Sequence, residues 1–82
     1  MNRSEALLHK ARRNPNGLKF REFERLMRRY GWTQRRQRGS HRTWYSPEGY
    51  RIIVQPERSM AKGYQVRQFL RQYNKEAANE NE

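Results

Sequence analysis

The residues of this sequence best suited to chemistry are three neighbours, Gly39-Ser40-His41, at a predicted turn between two strands. Imidazole transfers protons near neutral pH, so His41 can take the proton of an RNA 2′-hydroxyl or protonate a leaving oxygen. Cationic side chains stabilise the charge that develops on a phosphate under attack, and four flank the histidine: Arg35, Arg36, Arg38 and Arg42. The cluster is suited to cleavage of RNA without a metal, although a lone histidine at a strand start is more often an ordinary surface residue.

The net charge of the chain indicates an acidic partner. The 82 residues include 19 Lys+Arg and 8 Asp+Glu, a formal charge of +11. Residues 74–82 contain one lysine and three glutamates, so residues 1–73 carry a net +13. Fifteen of the basic residues are arginine, whose planar guanidinium fits phosphate oxygens and stacks on bases. Together with two tryptophans and five tyrosines, this composition favours nucleic acid over an acidic protein or a membrane surface.

Residue types missing from the sequence exclude several kinds of site. Without cysteine there is no disulfide, thiolate metal site or cysteine nucleophile. Without aspartate there is no Ser-His-Asp triad. We therefore expect neither a metal nor another cofactor. No apolar run approaches the ~20 residues of a membrane-spanning helix, so we expect a soluble, cytoplasmic protein that does not bind membranes.

The hydrophobic periodicity predicts three helices and three strands. Phe20, Phe23, Met27 and Tyr30 recur at helical spacing, and Gly31 is suited to end that helix. A later run rich in β-branched residues gives the clearest strand. The predicted helices cover residues 4–13, 19–30 and 63–75, and the predicted strands cover residues 33–38, 41–46 and 50–55.

These elements predict an α+β fold. Three short strands joined by tight turns form an antiparallel meander, and the helices over 19–30 and 63–75 can cover one of its faces. The result is the α-β-β-β-α sandwich of double-stranded-RNA-binding domains, with an extra N-terminal helix. We expect one basic RNA-cleaving domain over residues 1–73 and an acidic tail over residues 74–82 that is disordered or a fraying helix end.

Several short motifs follow one another along the chain in an order that resembles the HicA family, the toxin half of the HicA–HicB type II toxin–antitoxin systems. The resemblance covers about residues 18–73. The motifs are Leu18-Lys19-Phe20, Tyr30-Gly31-Trp32, Arg36-Gln37-Arg38-Gly39-Ser40-His41, the aromatic Trp44, Pro47 and Tyr64-Gln65-Val66-Arg67-Gln68-Phe69-Leu70.

The resemblance implies a small mRNA interferase in which His41 is the catalytic residue and Gly39 and Ser40 shape its turn. It also implies a HicB-type antitoxin that masks the His41 surface, and we expect the free toxin to be monomeric. Many family members carry a Pro-x-His element after the third strand, where this chain reads Pro56-Glu57-Arg58. This difference argues against a mechanism with two histidines.

Two further interpretations stay open at this stage. The chain can be a non-catalytic RNA-binding module of the same fold, or an inactive toxin whose only interaction is with its antitoxin. Trp44 can stack on a base or belong to the core, and because Tyr45 follows it in a strand, one of the two should be buried. The candidate RNA-binding residues are Arg35, Arg36, Arg38, Arg42, Lys62 and Trp44.

Overall fold

In the computed structural model, which describes residues 2–80, three α-helices and one three-stranded sheet follow the predicted order. The predicted α+β class is confirmed, and each strand lies within one residue of its predicted bounds at either end. The elements are α1 (Arg3–Arg13), a short 3-10 helix (Pro15–Gly17), α2 (Phe20–Arg29), β1 (Thr33–Arg38), β2 (His41–Tyr45), β3 (Arg51–Val54) and α3 (Gly63–Glu80).

The strands form an antiparallel meander in the order β1-β2-β3. Each of the two turns contains a glycine in the left-handed region, Gly39 with φ +57° and Gly49 with φ +90°, a conformation that is costly for residues with a Cβ. Trp44 at the centre of the sheet pairs with Gln34 on β1 and with Ile52 on β3. This register places the side chains of Gln34, Trp44 and Ile52 next to one another on the same face of the sheet.

The core lies between that face of the sheet and the two helices α2 and α3. The sheet contributes Trp44, Ile52 and Val54, all of which are almost completely buried. Phe23 of α2 and Phe69 of α3 meet edge to face, with ring centroids 5.9 Å apart. This is the two-layer sandwich of double-stranded-RNA-binding domains, with the opposite face of the sheet left uncovered by helices.

Helix α1 packs beside the sandwich. Its buried residues are Leu8 and Ala11, and Lys10 Nζ lies 3.2 Å from Glu22 Oε1 on α2. The same carboxylate oxygen accepts a 2.9 Å hydrogen bond from the backbone N–H of Lys19. That backbone bond above all, and the charge and hydrogen bond of Lys10, hold the pKa of Glu22 below its ordinary value. The carboxylate thereby joins the start of α2 to α1.

The C-terminal helix is longer than predicted. Residues 74–80, expected to be disordered or a fraying helix end, continue α3 as a helix; residues 81 and 82 lie outside the described part of the chain. Glu76 is buried and accepts a 2.9 Å hydrogen bond from Gln72 one turn earlier, while Arg12 of α1 donates to Asn74. These contacts stabilise the extra turns.

Although α3 has 18 residues, no helix within residues 2–80 is long and apolar enough to cross a membrane.

Candidate functional site

The turn between β1 and β2 places His41 at the first position of β2, opposite Arg38. Gln37 donates a 3.3 Å hydrogen bond to the carbonyl oxygen of Gly39 within this turn. A Cβ on Gly39 would meet nothing within 4 Å, so glycine is favoured there by the positive φ rather than by crowding. The histidine is exposed and its imidazole is therefore accessible to a ligand.

The alternation of β2 separates its side chains between two environments. Trp44 is completely buried against the helices, and because alternate residues point to opposite faces, His41, Thr43 and Tyr45 project to the face without helices. We call this the open face. Arg42 points to the other side, where its guanidinium pairs with Glu24 of α2.

A small hollow of about 280 Å³ surrounds His41 on the open face. None of the residues that line it is acidic, and three are arginines, so a bound phosphate meets only positive charge. The lining residues are Arg36, Arg38, His41, Thr43, Arg51 and Ile53.

A second hollow of about 720 Å³ adjoins the first, and the two share Arg36, Thr43 and Arg51. It extends along the open face to Tyr45 and Pro47, and it too has no acidic lining residue. The pairing of β1 with β2 shifts register between Gln34 and Arg36, and such a bulge re-aims side chains. Arg35 and Arg36 accordingly both line this hollow. We call the two hollows together the open-face groove.

A comparison with models of protein families shows to which family this chain belongs. Residues 20–74 match the family model described as the HicA toxin of bacterial toxin–antitoxin. The chain belongs to the HicA toxin family. Comparisons with curated proteins and with solved structures gave no significant match.

Membership of the HicA family identifies the chain as a toxin of the toxin–antitoxin type, a class that pairs with an antitoxin. The matched segment contains α2, the whole sheet and α3 as far as residue 74. The open-face groove therefore lies within the HicA part of the chain, whereas α1 and the 3-10 helix lie outside it.

The HicA sandwich brings some of the predicted site residues together. Arg36, Arg38 and His41 line the same hollow, with Gly39 and Ser40 forming the turn beside them, and Arg35 lines the adjoining hollow. These residues come from one hairpin, and its strand pairing sets their arrangement.

Two predicted RNA-binding residues lie on the covered face instead. Trp44 has no exposed surface and its ring is covered by the guanidinium of Arg28, 5.4 Å from the ring centroid. It cannot stack on a base, so its assignment to RNA binding is wrong and the core alternative is correct. Arg42 lies against Glu24 and over the ring of Phe20, so we do not retain it among the groove residues.

Lys62 lies elsewhere. It lines a separate hollow at the start of α3 with Arg58, Tyr64 and Arg67, and neither Arg58 nor Lys62 is among the residues that line the open-face groove. The arginine of β3, Arg51, lines the hollow around His41 instead.

Arg51 and Tyr45 were missed as site residues. Arg51 pairs with Tyr45 across β2 and β3, and both line the groove. Burial of Ile52 and Val54 in the structure requires Arg51 and Ile53 to face the other way. The sequence alone does not give this phase, because residues 52–54 are all apolar. Within residues 2–80 no group of three histidine, aspartate, glutamate or cysteine side chains could hold a metal ion.

Proposed function

We propose that this HicA-family chain is an endoribonuclease that cleaves mRNA and thereby inhibits translation until its antitoxin neutralises it. The observation that supports the proposal is His41, an exposed proton-transfer group in a hollow lined by three arginines and no acid. Such a hollow attracts a phosphodiester and stabilises the extra negative charge of its transition state.

The reaction that fits this geometry is an internal transesterification. The O2′ oxygen forms a bond to phosphorus and the bond from phosphorus to O5′ breaks, which leaves a cyclic 2′,3′-phosphate and a 5′-hydroxyl end. One proton passes in net from O2′ to O5′; His41 carries one of the two transfers as general base or acid, and water carries the other. No second histidine lines the groove, in keeping with the absence of the Pro-x-His element.

The guanidinium groups have a distinct role in this proposal. Arg36, Arg38 and Arg51 surround the histidine and bind the non-bridging oxygens of the scissile phosphate, while Arg35 holds a neighbouring phosphate in the second hollow. A guanidinium cannot lose its proton near neutral pH, so these residues supply charge and orientation rather than proton transfer.

The antitoxin of the pair would cover the open-face groove. A partner with acidic residues would complement the cations there and associate quickly, since complementary charge mainly speeds and directs association. Covering the groove blocks the access of RNA to His41, and the free toxin is expected to be a monomer.

Induced expression of the wild type and of His41→Ala, in the absence of the antitoxin, tests the proposal. The wild type should arrest growth and fragment mRNA, whereas His41→Ala should do neither. His9→Ala is the matched control, because His9 is exposed on α1, outside the groove, and this variant should behave as the wild type does.

A cleavage assay with purified protein separates the enzyme from a non-catalytic RNA-binding module. Labelled mRNA is incubated with each variant in the presence of EDTA. Fragments with cyclic phosphate ends that require His41 support the proposal. Stable complexes of wild-type protein with intact RNA, or fragments that persist with His41→Ala, contradict it.

A further inference from the structure

Tyr45 differs from the other tyrosines of the chain. Tyr30 and Tyr73 pack ring to ring, and the hydroxyls of Tyr50 and Tyr64 accept hydrogen bonds from glutamines of α3. Among residues 2–80, the ring of Tyr45 packs against no other aromatic ring, and its hydroxyl has no hydrogen-bond partner. It is nevertheless half-buried at the end of β2, on the open face of the sheet. An amphipathic ring held in place without a partner is available to a ligand.

The surroundings of Tyr45 indicate the chemistry of that ligand. The hollow of about 720 Å³ beside it lies within the ~300–1,000 Å³ of typical small-molecule sites. Arg51 and Thr33 flank Tyr45 in the neighbouring strands, and Arg35 and Arg36 line the same hollow. An aromatic ring beside guanidinium groups, with no acidic side chain among the described residues that line the hollow, fits a nucleobase joined to a phosphate.

The position of Tyr45 relative to His41 fits one continuous strand of RNA. The two residues lie four positions apart on β2, and at ~3.3 Å per residue this separates them by about 13 Å along the strand. That span is on the order of two nucleotides of an extended single strand. The two hollows share Arg36 and Arg51, so guanidinium groups that can bind phosphate lie where the hollows meet.

We propose that Tyr45 is a stacking platform for a nucleobase of single-stranded RNA, on the order of two nucleotides from the phosphate held at His41, with Arg51 binding the backbone between them. The inference rests on the proposed function in that it takes RNA as the ligand and His41 as the cleavage site. It adds a subsite that binds any base, because every base offers a π-face to an aromatic ring. This subsite does not have to distinguish one base of the RNA from another.

The test uses a hexanucleotide with 2′-O-methyl sugars, which lack the nucleophile and cannot be cleaved. Each oligonucleotide carries one 2-aminopurine, whose fluorescence falls when it stacks on an aromatic ring, and the label is moved through all the positions. Wild-type protein should quench one or two adjacent positions. Tyr45→Leu should abolish this quenching and weaken binding roughly 5- to 150-fold, because stacking on an aromatic residue contributes ~1–3 kcal/mol per base.

Two further variants distinguish stacking from a structural role. Tyr45→Phe keeps the ring and should retain both quenching and affinity. Tyr50→Leu is the matched control, because Tyr50 contacts Gln68 of α3 and is not among the groove residues; it should bind as the wild type does. Loss of quenching in Tyr45→Phe, equal affinities for Tyr45→Leu and Tyr50→Leu, or no quenching by the wild type at any position would each overturn the proposal.

The same oligonucleotides separate this inference from the proposed function. If the protein binds them with Tyr45-dependent quenching but leaves unmodified RNA intact, the subsite stands and the nuclease proposal fails. If it cleaves unmodified RNA through His41 but Tyr45→Leu binds normally, the nuclease proposal stands and the subsite fails.

Discussion

Strand β2 separates two regions of the molecule, the open-face groove on one side and the covered face beneath α2 and α3 on the other. His41, Thr43 and Tyr45 belong to the groove, whereas Arg42 and Trp44 belong to the covered face. Both regions contain arginine and an aromatic residue, so residue type alone does not distinguish them. The two regions differ in the partners that these side chains have among other residues of the protein.

On the covered face each of these side chains has a protein partner. Arg42 pairs with Glu24 and lies 5.2 Å from the ring centroid of Phe20, and Trp44 is enclosed by the core. In the groove the side chain of Tyr45 has no aromatic or hydrogen-bond partner among the described residues, and none of the lining arginines is in an ion pair within residues 2–80. An arginine therefore contributes to stability on one face and is free for a ligand on the other.

The largest expected contrast is between neighbouring aromatic residues. Trp44→Ala should lower the free energy of unfolding by about 3–5 kcal/mol, because it opens a cavity in the core, whereas Tyr45→Ala should lower it by about 1 kcal/mol or less. Urea denaturation followed by circular dichroism measures both. Trp44→Phe, which leaves a smaller cavity, should fold and should still bind RNA. Comparable losses of stability for Trp44→Ala and Tyr45→Ala would contradict the division of the sheet into two faces.

A second contrast compares two arginines of the same hairpin. Arg42→Ala leaves the nearly buried carboxylate of Glu24 without its cationic partner. The second carboxylate oxygen of Glu24, Oε2, already has no hydrogen-bond partner in the described structure. Since Arg42 is partly exposed, with 31% of its side chain accessible, the expected loss is about 2 kcal/mol, less than for a fully buried pair. Arg38→Ala should change stability by less than about 0.5 kcal/mol.

RNA binding should show the opposite order for these two variants. Arg38→Ala should weaken binding and reduce the dependence of log Kd on log salt concentration by about one unit, as loss of one phosphate contact does. Arg42→Ala should leave that slope unchanged. Titrations at several salt concentrations measure the slopes, and an equal reduction in both variants would mean that Arg42 also contacts phosphate.

Periodicity predicted the order of the elements, but only part of the site. Helical spacing places Phe23 of α2 and Phe69 of α3 in the core, whatever residues they pack against. Alternation also required one of Trp44 and Tyr45 to be buried. It did not decide which, because Ile52, Ile53 and Val54 are all apolar and the phase of β3 is ambiguous in the sequence; in the structure Ile53 is 45% exposed on the open face.

Contacts between distant residues account for what the sequence did not predict. Arg42 is 18 positions from Glu24, and nothing local distinguishes it from Arg38. The acidic composition of residues 74–80 suggested disorder or a fraying helix end, yet Asn74 meets Arg12 across 62 positions and Glu76 is buried. Lys62 is distant from His41 in the sequence, and it does not line the open-face groove. The chain alone gives the type of each residue, and tertiary packing decides which cations remain free.

The smallest expected contrast concerns the effect of pH on stability. Among residues 2–80 no carboxylate lines the open-face groove, whereas Glu22 lies in the helix layer. The pKa of Glu22 is lowered in the fold chiefly by the backbone N–H of Lys19. The stabilisation is therefore present above its ordinary pKa of 4.5 and is lost as the pH falls through the lower folded value. Glu22→Gln should reduce the free energy of unfolding at pH 7 by about 1 kcal/mol or less, and the difference from the wild type should shrink below pH 4.5.

Glu48→Gln is the matched control for this titration, because Glu48 is exposed in the turn between β2 and β3 and has no ion pair within residues 2–80. Its stability should follow that of the wild type at every pH. Urea midpoints between pH 3 and pH 7 compare the three proteins. A Glu22→Gln difference that is constant across this range would show that the carboxylate acts through packing rather than charge, and that acid destabilises the sandwich through other groups.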